Sequence, residues 1–163
     1  MATVSPSQPW AYTLQLPRDA GAPKIARAVA RETLRHYGMG ELIETAELLV
    51  SELVTNAYLH SDGPSSLRIR RMEADRLRIS VWDTNPVIPP PFAGPAQSEL
   101  TVGLFGAPST TAPYAEGGRG LLLVRLCAVN WGGYPLAEGL FGMAGKLLWV
   151  EVAATDTAFD IAA

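Results

Sequence analysis

Apolar and polar residues alternate in WAYTLQL near the start of the chain. Trp10, Tyr12, Leu14 and Leu16 fall on one side, and Ala11, Thr13 and Gln15 on the other. That period of two predicts a strand over 10–16 with one buried face. PRDAGAP interrupts it, and over 23–37 the spacing becomes helical. Ile25, Ala26, Val29, Ala30, Thr33 and Tyr37 share a face, while Lys24, Arg27, Arg31 and Arg35 decorate the outside. Pro23 suits a first helical turn, and Gly38 and Gly40 are placed to stop the helix. A second helix is predicted over 41–60. SLRIR (66–70) and RLRISVWD (76–83) then read as strands, with Leu67 and Ile69, and Leu77, Ile79 and Val81, facing one way. Residues 72–75 are the expected turn of an antiparallel hairpin.

The pattern lapses over 86–118, where Pro86, Pro89, Pro90, Pro91, Pro95, Pro108 and Pro113 are mixed with Gly94, Gly103 and Gly106. A loop this long inside a compact domain is usually functional or mobile. GRGLLLVRLCA (118–128) restores a helix directly after glycines, and NWGGY and GKLLWVEV (145–152) read as two more strands. Residues 1–9 and 153–163 are expected to be flexible ends. The order is strand, helix, helix, hairpin, long loop, helix, two strands. It predicts an α+β fold, a two-layer α/β sandwich whose mixed, mostly antiparallel sheet is covered on one face by helices.

Composition narrows the function classes. The chain has 163 residues, nearly half of them apolar, and a net charge of −3. This is the balance of one globular domain. Lys and Arg are scattered, which gives no footprint for nucleic acid. The single cysteine, Cys127, has no partner for an internal disulfide and no metal-ligand cluster around it, which fits a reducing cytoplasm. No signal peptide and no membrane-spanning run is visible.

The second helix carries an oddity. Leu42, Ala46, Leu49, Val50, Leu53 and Ala57 form its apolar stripe. At about 100° per residue Asn56 borders that stripe and Glu52 lies one step further out. Four apart, the two side chains are neighbours. A carboxylate at the edge of a core is costly unless something satisfies it. Two readings are open. Glu52 points to water and Asn56 makes a routine hydrogen bond, or the pair lines a pocket and holds a metal ion and an activated water or hydroxyl. Carboxylate and amide oxygens are the hard ligands that Mg²⁺ prefers. His60 falls near the middle of the stripe and reads as structural.

Two other segments carry candidate chemistry. Asp83 ends a strand before Asn85-Pro86, as a turn-former or as an acceptor for the amino group of a base. EGGRGLLLV places Gly117, Gly118 and Gly120 just before a helix, with Arg119 between the last two. A helix N-terminus behind glycines suits an anion, but it is also a common junction. Neither G-x-G-x-x-G nor the P-loop pattern is present.

In this order ELVTNAYLH, VWDTNP, GGRGLLLV and GKLLWVEV resemble the successive boxes of the ATPase superfamily that contains gyrase, histidine kinases and mismatch-repair ATPases. Within it the resemblance is to the small bacterial anti-sigma-factor serine kinases, especially their short stand-alone relatives. The first strand and APKIARAVARETLRHYG fit that group too. The resemblance covers roughly residues 10–152.

What the resemblance implies is a Bergerat-type ATP-binding fold with ATP and Mg²⁺ as cofactors. Asn56 would ligate Mg²⁺, Glu52 would be the general base, and Asp83 would accept from the adenine amino group. Gly118 and Gly120 would cradle phosphate with Arg119 nearby, and residues 86–117 would form the ATP lid. Lys146 joins the ATP-binding set as a phosphate partner, although a lysine at a strand end is ordinarily exposed. The superfamily's D-x-G-x-G is here Asp83-Thr84-Asn85-Pro86, where Asn85 can adopt the backbone angles of the missing glycine. The implied partners are a sigma factor, a small anti-anti-sigma protein of the STAS type, or both, with a possible homodimer. The function expected is a serine/threonine kinase acting by partner switching. The alternative is a non-catalytic, nucleotide-dependent adaptor.

Overall fold

The computed structural model describes residues 8–93, 118–136 and 144–154. Five strands and three α-helices follow in the order β1 (Ala11–Leu16), α1 (Ala22–His36), α2 (Ile43–His60), β2 (Ser65–Arg71), β3 (Arg76–Asp83), α3 (Gly118–Cys127), β4 (Asn130–Leu136) and β5 (Gly145–Ala153). The strands form one sheet in the order β1-β2-β3-β5-β4. The sheet was expected to be mixed and mostly antiparallel, and every pairing among these strands is antiparallel. β5 slots between β3 and β4, so the last of these strands is an inner one. Pro135, which cannot donate to a ladder, sits in the edge strand β4.

The chemistry of the turns explains the element boundaries. Pro23 occupies the first turn of α1. At the other end Gly38 takes a positive φ of 69°. The Gly38 N–H then bonds to the Arg35 carbonyl and the Met39 N–H to the Leu34 carbonyl. This is a Schellman closure, in which glycine relieves the left-handed residue and the last carbonyls find partners. Buried Met39 and Leu34 both belong to the core. A short 3₁₀ turn, Gly40–Leu42, leads directly into α2.

Alternation along the strands sorts the two faces. Leu67 and Ile69 on β2, Leu77, Ile79 and Val81 on β3, and Leu148, Val150 and Val152 on β5 all point to the helices and are buried. The other face carries Arg68, Arg70, Arg78, Ser80 and Trp149, with Arg78 paired to Glu151 and lying 4.6 Å from the Trp149 ring. α2 packs on β2 and β3, α3 packs on α2 and β5, and α1 lies on α2. Ala22, Ala26 and Ala30 are the buried residues that let α1 approach closely. At the N-terminus Trp10 stacks on Tyr37 with ring centres 4.6 Å apart, and the Tyr12 and Tyr37 hydroxyls share a 2.7 Å hydrogen bond.

α2 is the element that carries the most core. Ala46, Leu49, Val50, Leu53, Val54 and Ala57 are buried along it. A fully buried leucine is worth about 1.5–3 kcal/mol relative to an exposed one. His60, placed by periodicity near the middle of this stripe, is exposed instead, because it is the last residue of α2, beyond the sheet-covered turns. Among the described residues no helix is long and apolar enough to cross a membrane.

Two leucines of the same helix test this packing. Leu53→Ala opens a cavity and should cost about 2–5 kcal/mol in urea unfolding. Leu59→Ala, at an exposed position, should stay within about 0.5 kcal/mol of wild type.

Candidate functional site

The polar residues of α2 sit where its apolar face gives way to the sheet edge. Asn56 is only 8% exposed, and its Oδ1 is buried without a hydrogen-bond partner. An acceptor left in that state costs about 1–3 kcal/mol. The position therefore makes physical sense if a ligand completes it.

Glu52 lies one turn earlier and is partly buried. Its carboxylate abuts the start of α3. A Cβ added at Gly120 would stand 1.8 Å from Glu52 Oε2 and 2.6 Å from Cδ. With a side chain at 120 the Glu52 carboxylate would have to swing aside. α3 begins at Gly118, so the carboxylate rests against a first helical turn, whose free N–H groups and positive dipole end favour an anion. Arg119 belongs to the same turn, and its side chain lies outside the described residues. So do residues 94–117 of the expected lid.

Asp83 ends β3 and is buried. In the β3–β5 register Lys146 stands directly opposite it. Lys146 was expected at an exposed strand end, but it is 1% exposed. Its Nζ lies 2.8 Å from Asp83 Oδ2 and 2.9 Å from Oδ1. The correction has a physical cause: β5 is an inner strand, so its first inward-facing residue enters the core and needs a counter-ion there. Gly145 lets β5 pass this close to β3, since a Cβ at that position would stand 2.1 Å from the Asp83 carbonyl oxygen. Burial pushes the Asp83 carboxyl above the ordinary carboxylate range, against the lowering pull of Lys146, the Asn85 N–H and His60.

Asn85 does not work through unusual backbone angles. Among the described non-glycine residues only Asp75 has a positive φ. The turn is instead held by side chains. Asp83 Oδ1 accepts from the Asn85 N–H at 2.8 Å, and Asn85 Oδ1 accepts from the Val87 N–H at 3.0 Å. Asn85 Nδ2 donates to the His60 carbonyl at 2.7 Å, tying the loop to the end of α2. Such Asx turns do the work of a glycine turn without a left-handed residue.

Asn56, His60, Asn85, Val87, Pro89 and Lys146 line a cavity of about 40 Å³. That volume holds an ion or a water, and is too small for a nucleotide. The structure thus brings Asn56, Asn85 and Lys146 to one cavity, sets Asp83 beside Lys146, and puts Glu52 against Gly120. Among the described residues no group of three or more His, Cys, Asp or Glu could hold a metal. Magnesium at Asn56 Oδ1 would take its other oxygens from water and phosphate, its usual habit. The residues present fit that donor set. The role of Gly145 and the Asp83–Lys146 pair escape sequence reasoning, because only the strand register joins residues so far apart in the chain.

The buried pair makes a stability prediction. Lys146→Met strands the Asp83 carboxylate and should cost about 3–5 kcal/mol, whereas Asp83→Leu with Lys146→Met should be neutral or stabilising. Chemical denaturation of both variants measures this. The pH dependence has a definite sign. A carboxyl with a raised folded pKa contributes stability that is fully present below its unfolded pKa, about 3.9. That contribution is lost as pH rises through the folded value. Wild type should lose this increment across that window, and the double variant should not. Gly120→Ala and Glu52→Ala should also be coupled. Alanine at 120 should raise stability by up to about 1 kcal/mol where Glu52 is absent and by less where it is present, a difference that a double-mutant cycle reads.

A family model described as the histidine kinase-like ATPase domain matches residues 16–128. None of the curated proteins matches the chain. The match runs from the end of β1 through α3, and so includes Glu52, Asn56, Asp83 and Gly120. With this architecture and these residues, the chain belongs to the histidine kinase-like ATPase domain family, an ATP-binding family.

Proposed function

We propose that this protein is an ATP-dependent serine kinase of the anti-sigma-factor type, acting by partner switching on a sigma factor and a small STAS-type antagonist. The observation that carries the reading is the buried, unpartnered Oδ1 of Asn56 one helical turn from the partly buried Glu52 carboxylate. An acceptor oxygen for a cation and a base for a hydroxyl are the two protein groups that phosphoryl transfer to serine needs most.

Bound Mg²⁺–ATP supplies the transferable phosphoryl group and the charge that balances it. Asn56 Oδ1 would hold the metal. Glu52 orients the incoming serine hydroxyl and takes up its proton. The first turn of α3, bared by Gly118 and Gly120, offers N–H groups to phosphate oxygens. Partner switching then requires that ATP and ADP favour different complexes, a difference in affinity between two states.

A second reading, a nucleotide-dependent adaptor without phosphoryl transfer, is favoured by one contact. Glu52 already rests against the N-terminal turn of α3, an end that favours an anion and from which it must be freed to act as a base.

Incubation with labelled ATP, Mg²⁺ and a candidate antagonist decides between them. The kinase yields phosphoserine on the antagonist, and Glu52→Ala abolishes it while ATP still binds. The adaptor binds ATP and labels nothing. In calorimetry Asn56→Ala should remove the Mg²⁺-dependent part of ATP affinity, and an unaltered metal response would take Asn56 out of the site.

A further inference from the structure

The sheet has a second face, turned away from the helices and from Asn56. Two rows cross it, fixed by the strand register. One runs from β1 to β4 through Gln15, Ser66, Trp82, Leu147 and Tyr134, and the other sets Thr13, Arg68 and Ser80 side by side. These residues line a groove of about 390 Å³. Small-molecule sites commonly span roughly 300–1,000 Å³. Ser66 and Trp82 are buried and form the floor. The β2 side is cationic, and the β4–β5 side is apolar through Leu136, Leu147 and Tyr134.

The charges on this face do not balance. Arg70 stands directly opposite Arg78 in the β2–β3 ladder, and Arg68 is two residues along. Like charges set opposite each other destabilise a sheet. Arg78 is provided for by Glu151 and the Trp149 ring. Glu151 is the only acid at the outward positions of the five strands. Among the described residues neither Arg68 nor Arg70 has an ion-pair or hydrogen-bond partner for its guanidinium. Two donor forks are thus left open in a chain whose net charge is −3. Successive outward residues of a strand lie about 7 Å apart, so one anionic group can meet both.

We propose that this groove is a separate binding site for a small amphipathic organic anion, with its carboxylate, sulfonate or phosphate head on Arg68 and Arg70 and its apolar body on Trp82, Leu147 and Tyr134. The sheet divides it from Asn56, so it stands independently of the nucleotide reading. A small occupant fits better than a polypeptide. An added peptide strand gains its affinity by pairing with a free sheet edge, whereas β2, β3 and β5 are inner strands. A second copy laid on the same face would set open cations against cations, an arrangement that complementary interfaces avoid.

Two fluorescent probes that share one aromatic body test this. 8-Anilinonaphthalene-1-sulfonate carries an anionic head, and N-phenyl-1-naphthylamine lacks it. On the full chain the sulfonate should shift the amide NMR signals of Ser66, Arg68, Ser80, Leu147 and Tyr134. Arg68→Gln with Arg70→Gln should weaken the sulfonate about tenfold or more, the loss of charged hydrogen bonds, and leave the neutral probe unaffected. Should the double variant fail to fold, either substitution alone carries the same expectation. Tyr134→Ala should weaken both probes. Indifference of the sulfonate to the arginine variants overturns the proposal, and so do shifts centred on the exposed Leu122, Leu123 and Leu126 of α3. Sedimentation supplies a further arm: a dimer that Arg68→Glu dissociates assigns the face to a second copy and overturns the proposal as well.

Discussion

The burial of one face of α2 is the constraint from which the rest follows. Its alanines, leucines and valines are covered by α1 on one side and by β2 and β3 on the other. Removing that much apolar surface from water is the dominant favourable term in a domain of this size. Because the face is wide, the helix cannot rotate without exposing leucine. Its rotation decides where Glu52 and Asn56 go. They lie on the flank of the packed stripe, so the same hydrophobic contact that holds the domain together also aims an amide oxygen and a carboxylate at the sheet edge.

Polar chemistry in such a setting has to be satisfied locally, and the chain does so by unequal means. Asp83 and Lys146 neutralise each other across two strands, with the Asn85 N–H and carbonyl completing the set. Burial still wins over the ion pair in setting the Asp83 carboxyl above its usual range. Buried pairs rarely add stability over an apolar alternative, so a pair in this place is better understood as specifying an arrangement. Asn56 Oδ1 is the opposite case, an acceptor with nothing to accept. Satisfied and unsatisfied groups a short distance apart are the physical outline of a ligand site.

Glycine does a separate job at two contacts. At 120 it lets α3 approach the Glu52 carboxylate, and at 145 it lets β5 pass the Asp83 carbonyl. Neither residue carries any chemistry of its own. Each removes the one atom that would keep two chemical groups apart, and so couples elements distant in sequence.

Periodicity alone determined most of the elements, since a strand with one buried face and a helix with one buried stripe each leave a repeat that is local in the chain. The two central helices, the hairpin and the glycine-led α3 are legible for that reason, and so is the proximity of Glu52 to Asn56, four residues apart on one helix. Lys146 could not be judged that way. Whether a strand-end lysine is exposed depends on which strand lies beside it, and β5 proved to be an inner strand paired with β3. His60 and Asn85 differ for the same reason: one lies past the covered turns, and the other holds its turn by donating its N–H to Asp83 and accepting from the Val87 N–H. Local spacing decides which residues form an element, while the pairing of elements decides which polar groups meet, because that meeting is set by burial and register summed over the whole domain.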